Sequence, residues 1–416
     1  MKPNQLLRIV LLTALSCGCA EELPPEEPLR IGVLLPTDSN ISQNVNGAAM
    51  VANVFNSLGG VLGRRVEILL RNSGLRPDIA REGARELVEE EGAVALVGGT
   101  TWFEYQGAYT IARDNGVPII GHAGWPTFEE ETADGYAFSV RPSMEMVFAL
   151  SGRYAGTRCT RPALLSIPIE GTATSLVASF ERESQEAGNA PVFVNDNTPF
   201  FLFDPDGLVP PLLDASPDCV FMFISSSSMA EWRTEWNARG GDPTTRWFII
   251  NEPLSRESLI SADVDAEVVN GSFEITPPIV DTARPAWAEY RNRHLALYGS
   301  EPFYPWGAML YDATALTLLG IESAGSTEGG AVSEAIARVS RFDGAGAAME
   351  RRFDSGELEA ALTFVREGKD IDYRGVYNSM DFDPVTRRVE DRRVVITEVV
   401  DILTDERRQV DVVMQE

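Results

Sequence analysis

From Leu29 to Gly121 the sequence alternates short apolar runs with stretches whose apolar residues recur every three or four positions, and beyond Arg141 the alternation starts again. This pattern demands parallel strands joined by helical crossovers, with helices covering both faces of the sheet. Strands are expected at Leu29–Leu35, Arg65–Leu70, Ala93–Val97 and Pro118–Gly121. Helices are expected at Val45–Leu58, Pro77–Glu91 and Phe103–Asn115. The first of them carries Ala48, Val51, Ala52 and Phe55 on one face and stops at Gly59-Gly60.

After the restart, strands are expected at Ala163–Ile167, Pro191–Val194, Cys219–Ile224 and Arg246–Ile250, with helices at Thr172–Ala187 and Met229–Arg239. Thr198–Pro217 holds five prolines, which predicts an irregular segment with at most a short helix. Arg284–Glu367 reads as mainly helical and Gly375–Val400 as strands. A chain of 416 residues exceeds what one compact core usually takes, so two lobes are expected.

The N-terminus has the form of an export signal. Lys2 and Arg8 supply positive charge, and Ile9–Leu15 is apolar but too short to span a bilayer. Cys17-Gly18-Cys19-Ala20 and an acidic, Pro-rich stretch to Pro28 follow. A small residue before Cys at the end of such a signal resembles a bacterial lipobox. It implies cleavage after residue 18, lipidation of Cys19, a tether over 19–28 and a membrane-anchored exported protein. Cys17 is the alternative, because Ser16 stands where an aliphatic residue is usual before Cys19. Export places the remaining cysteines, Cys159 and Cys219, in an oxidising compartment where they can pair.

The chain carries 62 acidic against 35 basic side chains, a formal net charge of -27. Phosphate backbones repel such a surface, so nucleic acid is not an expected partner. Catalytic side chains are scarce. There are two histidines, His122 in a loop after a strand and His294 on a helix face with Trp287, Tyr290 and Leu297. Ser225–Ser228 lacks a nucleophile-elbow pattern. No Cys/His cluster suggests a metal, and no cofactor is expected.

Several local signatures come in a set order: Arg30-Ile31-Gly32-Val33-Leu34-Leu35-Pro36, Gly47-Ala48-Ala49, Leu58-Gly59-Gly60-Val61-Leu62-Gly63, and Gly116-Val117-Pro118-Ile119-Ile120. Phe138-Ser139-Val140-Arg141-Pro142-Ser143, Tyr311-Asp312-Ala313, Asp372-Tyr373-Arg374-Gly375 and Asp381-Phe382-Asp383 complete the series. Together they resemble the leucine/isoleucine/valine-binding-protein family of type I periplasmic binding proteins. The resemblance implies an α/β fold of two doubly wound lobes joined by three crossings, near Arg141–Met144, Phe273–Pro278 and Tyr373–Asp383. Residues 29–142 and 277–373 would form the first lobe and 143–276 the second. Residues 374–416 would supply the last crossing and strands mainly of the second lobe.

Family ligands sit between the lobes, at the carboxyl ends of the strands, which implies a site built from Trp102, Phe103, Ala123, Gly124, Trp125, Thr172, Ser225, Glu252 and Trp306. In amino-acid-binding relatives the loops after Val97 and Ile120 offer hydroxyls and backbone N–H groups to a ligand carboxylate. Here Trp102 and Trp125 replace the hydroxyl residues, leaving the backbone donors. Thr172 and Ser225 stand where aromatics are common, Glu252 (or Asn251 in a register shifted by one) where an acid meets a ligand ammonium, and Trp306 where an aromatic wall is usual. The resemblance implies a monomeric solute-binding lipoprotein serving an ABC permease. A ligand-sensing signalling subunit and a structural lipoprotein that activates a cell-wall enzyme are the alternatives on the same fold. In a 2-1-3-4-5 strand order, Cys159 and Cys219 lie at the amino ends of neighbouring strands, which predicts a structural disulfide.

Overall fold

A computed structural model describes residues 27–37, 43–123, 133–167, 173–195, 204–251, 253–278, 284–302, 306–341 and 352–415. Its first sheet holds β1 (Leu29–Leu35), β2 (Val66–Asn72), β3 (Ala95–Gly98), β4 (Ile119–Gly121) and β5 (Ala137–Ser139). All five are parallel, in the order β2-β1-β3-β4-β5. The crossovers are α1 (Val45–Ser57), α2 (Pro77–Arg85) and α3 (Trp102–Asp114). Alternate strand residues serve opposite layers. Val33, Leu35, Ala95 and Val97 share a core with Val51 and Phe55 of α1. Leu34 and Leu96 pack instead with Ala84, Leu87 and Tyr105 on the α2–α3 face.

The second sheet repeats this plan. After α4 (Met144–Arg158) come β6 (Pro162–Ser166), α5 (Ala173–Glu186), β7 (Phe193–Val194), α6 (Pro205–Ala215), β8 (Cys219–Phe223), α7 (Ser226–Ala238), β9 (Arg246–Ile250), α8 (Arg256–Ser261) and β10 (Phe273–Thr276). Leu164, Phe221, Phe248 and Ile275 pack towards α4 and α5, while Leu165, Val220, Met222 and Ile249 pack towards Val209 and Trp232. Phe221 stacks on Phe248 at 4.5 Å and Phe248 on Phe273 at 4.8 Å, an aromatic ladder across three strands. Burying each such ring or Leu contributes about 1.5–3 kcal/mol.

The chain then adds α9 (Pro285–Tyr298), α10 (Trp306–Ala324), α11 (Gly329–Val339), β11 (Arg352–Asp354), α12 (Leu358–Arg366) and β12 (Asp372–Arg374). Leu316 and Leu319 of α10, Ile336 of α11 and Leu362 of α12 join the core that contains β1 and α1. Finally β13 (Arg393–Asp401) pairs antiparallel with β10, and β14 (Glu406–Met414) with β13. The second sheet is thus β14-β13-β10-β9-β8-β6-β7.

Three chain segments join the two sheets: β5 to α4, β10 to α9, and β12 to β13. The third is anchored by buried Asp312 of α10, whose carboxylate accepts from the Tyr373 hydroxyl at 2.8 Å, Val376 N at 3.0 Å and Tyr377 N at 2.6 Å. Asn378 Nδ2 donates to Val140 O at 2.7 Å and ties this segment to the first crossing.

Two sequence expectations are corrected. Pro205–Ala215 is a helix of 11 residues inside the stretch expected to be irregular. Asp204 caps it by accepting from Gly207 N at 2.8 Å, and Pro205 opens it. Its prolines at 210 and 211 remain within the helix because Val209 and Leu212 are buried against the sheet. The strands expected over Gly375–Val400 begin only at Arg393, since Gly375–Glu390 spends its backbone groups on the crossing. Cys159 and Cys219 are joined by a disulfide with Cα atoms 6.0 Å apart. Arg246 Nη2 donates to the Cys219 sulfur at 3.0 Å beside it.

Candidate ligand-binding cleft

In an open parallel sheet the loops at the carboxyl ends of the strands carry backbone groups left over from the ladder, and ligands bind there. In the first lobe these loops are Gly99–Thr101 after β3 and His122–Ala123 after β4. In the second they are Ile167 after β6, Ser225 after β8 and Asn251 after β9. The strand ends lie so close that a Cβ on Gly121 would sit 1.9 Å from the Gly98 carbonyl oxygen, so only glycine fits there.

The loop after β3 is organised by a residue that the sequence reading does not single out. Glu104, in the first turn of α3, is fully buried. Its Oε2 accepts from Thr100 N at 3.0 Å, Thr100 Oγ1 at 2.7 Å, Thr101 N at 2.8 Å and Thr101 Oγ1 at 3.0 Å. Its Oε1 accepts from the Ser73 hydroxyl. The backbone donors that the sequence reading leaves to a ligand are therefore taken by the protein's own carboxylate. The signal was Thr101-x-x-Glu104, the spacing of a capping box, which the structure contains.

Trp102, the first residue of α3, is buried in the α2–α3 layer and stacks on Tyr105 with ring centroids 6.2 Å apart. Phe103 is the exposed aromatic of this loop. Ala123 is fully buried, and Arg388 Nη1 donates to its carbonyl at 3.3 Å. Trp306 opens α10 and meets the His122 ring edge-on at 5.0 Å. Ser225 is exposed at the end of β8, where its hydroxyl caps α7 by accepting from Ser228 N at 3.2 Å. Gly124, Trp125, Thr172 and Glu252 lie outside the described residues, as does Cys19. Further along the chain, Leu254 N donates to Glu274 Oε1 at 2.8 Å.

The first crossing brings a cation to this place. Arg141 is 1% exposed, and its Nη2 donates to Asn251 O at 3.0 Å and also to Asn251 Oδ1. Asn251 takes φ 77°, a left-handed conformation that asparagine tolerates better than most residues. Among the described residues, Nη1 of Arg141 and Nε2 of His122 are both buried without a hydrogen-bond partner. Burial, and secondarily the Arg141 charge, hold the His122 imidazole well below its ordinary pKa, so it is neutral. Elsewhere, the paired carboxylates Asp381 and Asp383 do structural work. Asp381 pairs with Arg374 at 2.7 Å, and Asp383 accepts from Val385 N and Thr386 N. His294 is buried, with Nδ1 2.9 Å from Ser300 O.

Similar folds are known. A leucine-binding protein from Thermotoga maritima is 18% identical, with a TM-score of 0.68 over 93% of this chain and 99% of that one. A substrate-binding protein from Desulfitobacterium hafniense, solved with Leu, is 15% identical, with a TM-score of 0.69 over 92% of this chain and 100% of that one. A solute-binding protein from R. palustris, solved with 4-hydroxybenzoate, is 14% identical, with a TM-score of 0.70 over 93% of this chain and 97% of that one. No curated protein matches the sequence significantly. The family model described as periplasmic binding protein matches residues 28–370, most of the chain, and the two-lobed sheets carry its type I fold: this chain belongs to the periplasmic binding protein family.

Proposed function

We propose that this chain is an exported lipoprotein, anchored through Cys19, that captures a small amino-acid-like or aromatic ligand between its lobes and hands it to an ABC importer. The observation that carries the reading is the meeting of both lobes at one place. The ends of β4 and β5 and the start of α10 lie on one side, and the end of β9, reached by Arg141, on the other. Phe103, Ala123, Gly124, Trp125 and Trp306 of the first lobe and Thr172, Ser225 and Glu252 of the second are the proposed lining, with Trp102 behind them. The relatives solved with Leu and with 4-hydroxybenzoate support a ligand of this size. Such a protein needs no catalytic group and works as a monomer.

Native mass spectrometry of the exported chain, purified gently, tests this reading. A co-purified small molecule that unfolding releases is the expected result. A chain that carries nothing, binds no small acid or amino acid, and instead retains a cell-wall enzyme or a kinase would favour one of the alternatives on this fold.

A further inference from the structure

We propose that the cleft holds its ligand by a carboxylate, whose oxygen accepts from Nη1 of Arg141, with the His122 Nε2 edge beside it and the Trp306 indole as a side wall. The proposal rests on the solute-binding reading above and names the chemistry of that site.

Arg141 carries a permanent charge and only donors. A charge taken out of water is costly unless something opposite balances it. The oxygens that Arg141 meets are the neutral ones of Asn251, and among the described residues no carboxylate pairs with it. Nη1 is left over, and so is Nε2 of His122, which is 9% exposed. These two atoms belong to adjoining strand ends. Gly121 pairs with Ser139 across β4 and β5, Val140 N donates to Gly121 O at 3.0 Å, and His122 and Arg141 follow directly.

The other donor set at this end of the lobe, the Thr100 and Thr101 amides, is already satisfied by Glu104. Among the described residues at these strand ends, Arg141 therefore offers an approaching carboxylate an unsatisfied guanidinium nitrogen. The neutral imidazole adds a hydrogen-bonding edge without a second positive charge.

The test titrates the full chain with benzoate, 4-hydroxybenzoate and L-leucine, and with the primary amide of each, by calorimetry. At least one acid is expected to bind, with its amide roughly 30-fold weaker or worse, the cost of leaving a buried cation unmatched. Arg141→Gln should weaken the acid by roughly 30-fold and leave the amide unchanged. Arg141→Lys keeps the charge without the planar fork and should weaken the acid about tenfold; it decides the matter where the Gln variant does not fold. His122→Phe, which keeps the ring against Trp306, should weaken it about fivefold. Acid and amide bound alike, or an acid bound as tightly by folded Arg141 variants as by the parent, overturns the carboxylate subsite and leaves the solute-binding reading standing. A parent chain that binds none of the six compounds overturns both.

Discussion

Nη2 of Arg141 donates to the carbonyl oxygen of Asn251 at 3.0 Å, and this bond ties the first crossing to the tip of β9 in the other lobe. The residue that spans the lobes thus also keeps a second nitrogen buried with no hydrogen-bond partner among the described residues.

Glu104 fixes the loop after β3, and its removal should cost stability. Glu104→Ala strands the buried donors of Ser73, Thr100 and Thr101, a loss of about 2 kcal/mol or more. Urea unfolding should show a lower midpoint with an unchanged slope. Glu104→Gln keeps one acceptor oxygen and should lie between the two.

The disulfide closes a loop with a sequence separation of 60. The chain-entropy model gives about 4 kcal/mol for such a loop. The Cys159→Ser/Cys219→Ser pair should unfold at correspondingly lower denaturant, and reduction should destabilise the parent chain but not the double variant. Both sulfurs lie at the amino ends of their strands, so ligand affinity should be unchanged.

Asp312 gives the fold a pH dependence of definite sign. Burial outweighs its three hydrogen bonds and raises its pKa from 3.8 to about 7. The folded state therefore binds this proton more tightly than the unfolded chain. The stability it contributes is full below about pH 4 and is lost as pH rises to about 7. Asp312→Asn should flatten that slope. It should also lower stability by about 1–3 kcal/mol, because the amide nitrogen meets the Tyr377 N–H donor. Denaturation series from pH 4 to 8 for both chains would measure this.

Cys19→Ala should move the protein from membranes to the soluble exported fraction. Release by Cys17→Ala with retention of Cys19→Ala would assign the anchor to Cys17 instead.

The alternation of apolar runs made both sheets legible, because buried parallel strands such as Leu29–Leu35 and Cys219–Phe223 are apolar on both faces. The disulfide was legible for the same reason, since strand order brings β6 beside β8. The edge strand Glu406–Met414 was not, because its solvent-facing charges hide any alternation. The helix Met144–Arg158 was hidden by Gly152 and Gly156. Those glycines let it lie against α5, where an added Cβ would come within 2.2 Å of Phe180 O and 2.1 Å of Ser184 O. At the candidate site, residue types named loops at the carboxyl ends of the strands, but which donors remain there depends on contacts. Glu104 sits three residues past Thr101 yet folds back on it, and Arg141 meets a residue 110 positions away.

Hydrogen–deuterium exchange of the full chain, with and without an acid that it binds, tests most directly whether the ligand lies between the lobes. The account expects protection at Gly99–Thr101, Gly121–Ala123, Ile224–Ser226 and Asn251–Leu254 together, in both lobes and at the crossings. Protection confined to one lobe, or to the amino ends of the strands, would contradict it.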